Sequence, residues 1–310
     1  MNNDEIRGMS NEKEDSYELS IGQLAGLTGF DVHRLRMWER RYGMPRSRRL
    51  PSGHRRYRTE EVSRLKLVRM ALDMKLRPAQ VVPASTDTLE RLLSGLYSKQ
   101  STIPGFNDTG FLVETLAGYI ARYDADSFMQ RLYGELSVRG PFRTVYDLVG
   151  PFVTRIGDGW SSGELSIGHE HFATNLLNDF LGTVWQRLNE RCEGRVCVLA
   201  TLPGERHVLG LQMCAVVTAL AGRQVIYLGA DLPVRETIRI ANNLRPQALC
   251  LSLSPAMPKP EITETLKRLR RDLDSGIGMI TGGRGAIDGL TGIERIVEFE
   301  QYMQRLTTTA

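Results

Sequence analysis

Three stretches hold residues whose types and spacing could do chemistry. In GERHVLG, residues 204–210, a histidine flanked by Glu205, Arg206 and Gly210 follows directly on an apolar run, VCVLATL (196–202). His207 could give one imidazole nitrogen to a metal while a carboxylate such as Glu205 fixes the other. It could equally sit in a solvated turn. One histidine is too few for zinc, but it suffices for a cofactor that brings its own equatorial ligands, as a corrin or haem does. Gly210 would let a bulky planar ligand approach the backbone closely. In WSSGELSIGHEH, residues 160–171, nine residues separate Trp160 from the pair Glu170 and His171. An indole there could stack over an aromatic group; alternatively it packs in a core and the Glu-His pair opens a solvated helix. Between Arg34 and Arg58, ten arginines accompany a single acid, Glu39. Such a local surplus suits a phosphate backbone, which responds to a patch rather than to a total charge.

The elements that must position these residues follow from periodicity. Ser20 is placed to cap a helix whose Ile21, Leu24 and Leu27 share a face, and Gly29 closes it. A second helix, DVHRLRMWERRYG (31–43), stops at Gly43 and Pro45. An arginine-rich loop containing SGHRRY comes next, and then a helix from Thr59, whose hydroxyl can cap it. This order is that of a winged helix-turn-helix, in which the second helix enters the major groove and the wing lies along phosphates. Arg34 and Arg36 are placed to reach the groove, and Arg40, Arg41, Arg55 and Arg56 to neutralise phosphates, with His54 and Tyr57 beside them in the wing. Trp38, Tyr42 and Tyr57 have the apolar bulk to pack the small core. Residues 109–190 carry apolar positions at spacings of three and four, with Gly/Pro breaks near 140 and 157–163, which predicts a four-helix bundle.

The period then changes. VCVLATL (196–202), QVIYLGA (224–230), ALCLSLS (248–254) and IGMITGG (277–283) are short apolar strands separated by helical stretches, the pattern of an α/β domain with a parallel sheet. A loop at the C-terminal end of its first strand lies on the usual ligand-facing edge. Ser252, Ser254, Gly282 and Gly283 line that same edge and could wrap a nucleotide tail. The expected organisation is a disordered N-terminus (1–16), a winged helix-turn-helix (17–90), a linker (91–108), a helical bundle (109–190) and a Rossmann-like α/β domain (192–303). Four cysteines without CxxC spacing, mostly in apolar runs, read as reduced core residues rather than a disulfide or zinc framework. A polar N-terminus and the lack of a long apolar run predict a cytoplasmic protein without membrane contact.

Residues 19–88, through LSIGQLAGLTG, LRMWERRYGMPRSRRLPSGHRRY and TEEV, closely resemble the MerR family of transcriptional regulators. The resemblance implies a dimer on pseudo-palindromic double-stranded promoter DNA, with RNA polymerase a further candidate partner. A thiolate metal sensor is disfavoured because no cysteine precedes Cys192. Residues 192–300 resemble the cobalamin-binding domain of methionine synthases and corrinoid proteins, whose loop reads DxHxxG. Glu205, one methylene longer, stands for the aspartate, and His207 and Gly210 match, with Val208 between them. By this resemblance His207 is the lower axial ligand of cobalt. Trp160, Glu170 and His171 match the W-x9-E-H pattern of light-sensing cobalamin regulators of the CarH/LitR type, where these residues cover the upper face of the corrin and its adenosyl group. Some members carry a histidine directly after the tryptophan; here Ser161 holds that place, and His169, His171 or water remain as upper ligands after photolysis.

Together these resemblances imply a repressor that binds adenosylcobalamin, self-associates as a dimer or a dark tetramer, and releases its operator in light. One rival is a regulator of the same architecture whose cobalamin domain is vestigial and serves only protein contacts; retention of Trp160, Glu170, His171 and His207 argues against it. Another is an enzyme component, a corrinoid methyl carrier, which has no use for a DNA-binding head.

Overall fold

The structure, a computed structural model, describes residues 18–100 and 109–308. The expected disordered N-terminus (1–16) and the second half of the expected linker (101–108) lie outside the described residues. Packing divides the chain into two units: residues up to 135 together with 147–173, and residues 136–146 together with those from 174 onward.

The first unit opens with β1 (Glu18–Leu19), α1 (Ile21–Thr28), α2 (Val32–Tyr42), β2 (Ser47–Arg49), β3 (Arg55–Arg58) and α3 (Glu60–Asp73). Ser20 and Gln23 form a reciprocal capping box, Asp31 caps α2 by accepting from the Arg34 N–H at 2.7 Å, and Gly29 and Gly43 end the two helices in left-handed conformations. The wing is an antiparallel sheet of order β1-β3-β2, with Tyr57 paired to both Leu19 and Ser47. Thr59 precedes α3 but makes no side-chain cap, because its backbone is already helical at φ −59°, ψ −30°. Helix α3 buries residues on several sides, including Val62, Leu65, Leu67, Val68 and Ala71, since it packs against α1 and two helices that follow.

Those are α5 (Thr86–Gln100), reached through the short α4 (Pro78–Val81), and α6 (Thr109–Ala121). Residues 91–100, expected as linker, are therefore helical. Four helices do fill 109–190: α6, α7 (Ala125–Arg143), α8 (Gly150–Ser161) and α9 (Ile167–Asn189), with a π-helical turn at Thr144–Val149. The break near 140 is Gly140, at φ 72° ahead of Pro141; the second break falls after Ser161 rather than at 157, because Gly157 and Gly159 stay helical. The bundle is not a packing unit of its own. Its first helix packs on α3, while residues 136–146 and 174–189 group with the α/β part.

In the second unit β4 (Val196–Ala200), β5 (Gln224–Gly229), β6 (Ala248–Ser252), β7 (Gly278–Gly282) and β8 (Glu294–Arg295) form a parallel sheet of order β5-β4-β6-β7-β8. Helices α10 (Leu209–Leu220), α11 (Val234–Leu244), α12 (Lys259–Asp272) and α13 (Phe299–Thr308) complete it. Cys197, Leu199, Cys250 and Ile280 pack with Leu211, Ala215 and Tyr302 on one face; Val198, Leu249, Leu251 and Met279 pack with Ala241, Ile262 and Leu266 on the other. Coverage on both faces explains why these strands read as unbroken apolar runs. Cys197 and Cys250 are buried and all four cysteines are free. Among the described residues no helix is long and apolar enough to cross a membrane.

Candidate functional site

In the head, Leu35 and Trp38 turn one face of α2 inward, and the Trp38 ring meets Phe30 edge-on at 4.9 Å. The opposite face leaves Arg34, Arg36, Arg40 and Arg41 exposed, and the wing exposes His54, Arg55, Arg46, Arg48, Arg49 and Arg58. Arg56 is half-buried. Tyr57, expected beside the arginines as a DNA contact, is completely buried, because β3 alternates and this position faces the core. Its hydroxyl donates to Glu39 at 3.3 Å. Glu39 also accepts from Ser47 Oγ at 2.5 Å and pairs with Arg55 at 3.1 Å. The one acid of the basic run thus ties the second helix to both wing strands, a role that spacing alone does not reveal.

Trp160 lies in the last turn of α8 and is 52% exposed, which removes the option that it is a core residue. Glu170 and His171 sit in the first turn of α9, their side chains 3.5 Å apart and the imidazole largely exposed. His169 differs. It is buried, its Nδ1 lies 3.2 Å from the Ser166 N–H, and its ring stacks on Tyr123 at 4.6 Å. Burial lowers its pKa. Of the two neighbouring histidines, only His171 presents its ring to solvent.

In the second unit, Thr201 to Val208 form the loop that follows β4. Thr201 Oγ1 donates to the Glu205 carbonyl at 2.7 Å, and Asp231 clamps the same loop by accepting from the Gly204 N–H at 2.7 Å. The Glu205 side chain is buried. Its Oε1 accepts from His207 N–H at 2.9 Å and contacts His207 Nδ1 at 2.7 Å; its Oε2 accepts from Ser254 N–H at 3.0 Å and Ser254 Oγ at 2.6 Å. The extra methylene of glutamate is therefore no obstacle to gripping the imidazole. Burial pushes the Glu205 carboxyl up, but the hydrogen bonds from Ser254 and His207 outweigh it and hold the group below its usual range. The carboxylate fixes Nδ1 and leaves Nε2 for a ligand, on a ring whose side chain is 66% exposed.

This relay spans the loops after β4 and β6, adjacent strands whose connections leave the sheet in opposite directions. That is the topological switch point, where doubly wound sheets bind ligands. Gly210 has a second reason beside the one expected: a Cβ there would lie 2.8 Å from Ser252 Oγ. Gly283, at φ 89°, would likewise bring a Cβ to 2.4 Å from the Leu253 carbonyl, and Gly282 one to 2.7 Å from that of Ile296. These glycines are required by close backbone approach at the same sheet edge. Val208 is the N-cap residue of α10. Among the described residues no three His, Cys, Asp or Glu side chains converge; a metal at His207 would have to bring its other ligands with it.

Residues 19–82 match the MerR HTH family regulatory protein profile, and residues 112–184 match the B12 binding domain profile. The chain is 28% identical to the HTH-type transcriptional repressor CarH of Myxococcus xanthus, over 91% of this chain and 94% of that protein. It is 26% identical to the HTH-type transcriptional repressor CarA of the same organism, over 89% and 90% respectively. The monomethylamine corrinoid protein of Methanosarcina barkeri superposes on 65% of this chain and 100% of its own with a TM-score of 0.53 at 12% identity, a likeness of fold alone. The helix-turn-helix head and the helical segment lead to one conclusion: the chain joins a MerR-type helix-turn-helix domain to a B12 binding domain.

Proposed function

We propose that this protein is a cobalamin-binding transcriptional repressor, a regulator rather than an enzyme, that uses adenosylcobalamin as a light-sensing ligand to control self-association and operator binding. The observation that carries this reading is the Ser254–Glu205–His207 relay at the switch point of the sheet. An ionised, buried carboxylate fixes the imidazole tautomer and makes Nε2 a better donor to a metal. His207 would be the lower ligand of cobalt. Ser252, Gly282 and Gly283 would border the nucleotide tail. Trp160, half-exposed beside the polar pair Glu170 and His171, would contact the adenosyl group. Bound adenosylcobalamin would supply a cobalt–carbon bond that visible light cleaves.

The exposed arginines of α2 and the wing would hold promoter DNA, with Arg34 and Arg36 toward the groove and Arg40, Arg41, Arg55, Arg56 and His54 along the phosphates. A ligand drives assembly only through its differential affinity for the assembly states, and assembly raises operator affinity by engaging several half-sites together. The test is size-exclusion chromatography and operator binding of the adenosylcobalamin-loaded protein, in darkness and after green light. A larger dark assembly that binds operator and releases it on illumination supports the reading. Identical assembly and binding in both states would remove light from it.

A further inference from the structure

The first unit holds a buried ionic cluster that the DNA-binding face and the cobalamin site do not use. Lys66, on the core-facing helix α3 of the head, lies 3.3 Å from Glu164 and 3.6 Å from Glu114. Arg155, on α8, pairs with Glu114 through Nε at 2.7 Å and through a second nitrogen at 3.3 Å, and it also pairs with Glu164. Glu114 belongs to α6. Glu164 belongs to the segment between Trp160 and Glu170, and Arg155 precedes Trp160 by five residues on the same helix. Two cations and two carboxylates, all largely buried, thus neutralise one another, and each carboxylate touches both cations.

Helices α3 and α6 pack against each other here. The same segment has a second link to α3: the charge of Glu60, in the first turn of α3, acts on the buried His169. Apolar packing would have joined the two elements without this desolvation cost; buried ion pairs add little net stability but penalise any other arrangement steeply. The cluster therefore specifies one register between the head and the segment bearing Trp160, Glu170 and His171.

We infer that Lys66, held by Glu164 and Glu114, is the positioning residue through which the Trp160–His171 segment sets the placement of the DNA-binding head, so that a ligand contacted by that segment is read out at the operator. This rests on the proposed function. The experiment compares full-length wild type, Lys66→Met, Lys66→Arg and Glu164→Gln. Operator affinity is measured with a duplex enriched in vitro against the wild type, without cobalamin and with adenosylcobalamin in darkness, and cobalamin uptake is followed by absorbance. Allosteric couplings usually span about 5- to 150-fold, and the ligand-induced change in affinity should fall by about fivefold or more in Lys66→Met and Glu164→Gln. Cobalamin uptake and cobalamin-free operator affinity should stay at wild-type levels, and Lys66→Arg should respond as wild type.

A wild-type response in Lys66→Met and Glu164→Gln overturns the inference and leaves the proposed function standing. A wild type that takes up no cobalamin removes both. A readout independent of ligand comes from hydrogen exchange on the cobalamin-free proteins. Glu164→Gln should speed exchange in residues 161–169 and along Glu60–Asp73 together, and acceleration confined to 161–169 would count against the link.

Discussion

Replacing Glu205 with glutamine tests the relay with almost no change in shape. The carboxylate receives four contacts, two from His207 and two from Ser254, at 2.6–3.0 Å. In Glu205→Gln one oxygen becomes an NH2 group, which faces a backbone N–H whichever way the amide is turned, that of His207 or that of Ser254. One charge-assisted hydrogen bond is lost at about 1.5–3 kcal/mol, while the Ser254 hydroxyl or His207 Nδ1 beside it can turn to accept. The imidazole also loses its anionic partner, and partners of metal-ligating histidines typically contribute about 10–100-fold in metal affinity. At 1.4 kcal/mol per factor of ten, that is ~1.4–2.8 kcal/mol of cobalamin binding. The assay is a cobalamin titration followed by absorbance, paired with thermal unfolding. Glu205→Asp, which restores the residue of the DxHxxG pattern, should bind far better than Glu205→Gln. Glu205→Gln with wild-type affinity and melting temperature would refute the argument that the carboxylate orients His207. The same group predicts a pH dependence. Its pKa lies below the ordinary 4.5, so its stabilisation is present above that value and is lost as pH falls through the lower folded-state value.

Other perturbations read other parts of the account. Trp160→Ala should leave the unfolding free energy within about 0.5 kcal/mol, since the indole is half-exposed, yet abolish dark assembly while sparing corrin uptake; size-exclusion chromatography decides. Arg40→Ala or Arg41→Ala should weaken operator binding, and each lost phosphate contact should lower the slope of log affinity against log salt by about one. Gly210→Ala places a methyl 2.8 Å from Ser252 Oγ and should cost about 1–3 kcal/mol of stability by overpacking, measured by denaturant unfolding.

The sequence exposed much of this in advance, for identifiable reasons. Ser20, Gly29 and Gly43 mark helix ends because caps and left-handed stops need those residue types, and the structure uses all three that way. Four strands stood out because the sheet is covered on both faces. The fifth, Glu294–Arg295, has no apolar signature, since a short edge strand needs none. Glu205 and His207 were legible because their relay is local, two residues apart. Glu39 as the tie between helix and wing and the Lys66–Glu164 pair were not, since each depends on partners 8 to 98 residues away. The closeness of Gly210 to Ser252 was hidden for the same reason: the two are neighbours only in the folded sheet.

Everything proposed for the second unit depends on His207 as the ligand of cobalt. Wild type and His207→Ala would be incubated with adenosylcobalamin in darkness and freed of unbound cofactor, and their absorption spectra recorded before and after a green pulse. Wild type should retain cobalamin and show a light-driven spectral change, and His207→Ala should retain far less. A colourless wild type, or a variant that retains cobalamin as wild type does, would contradict that role.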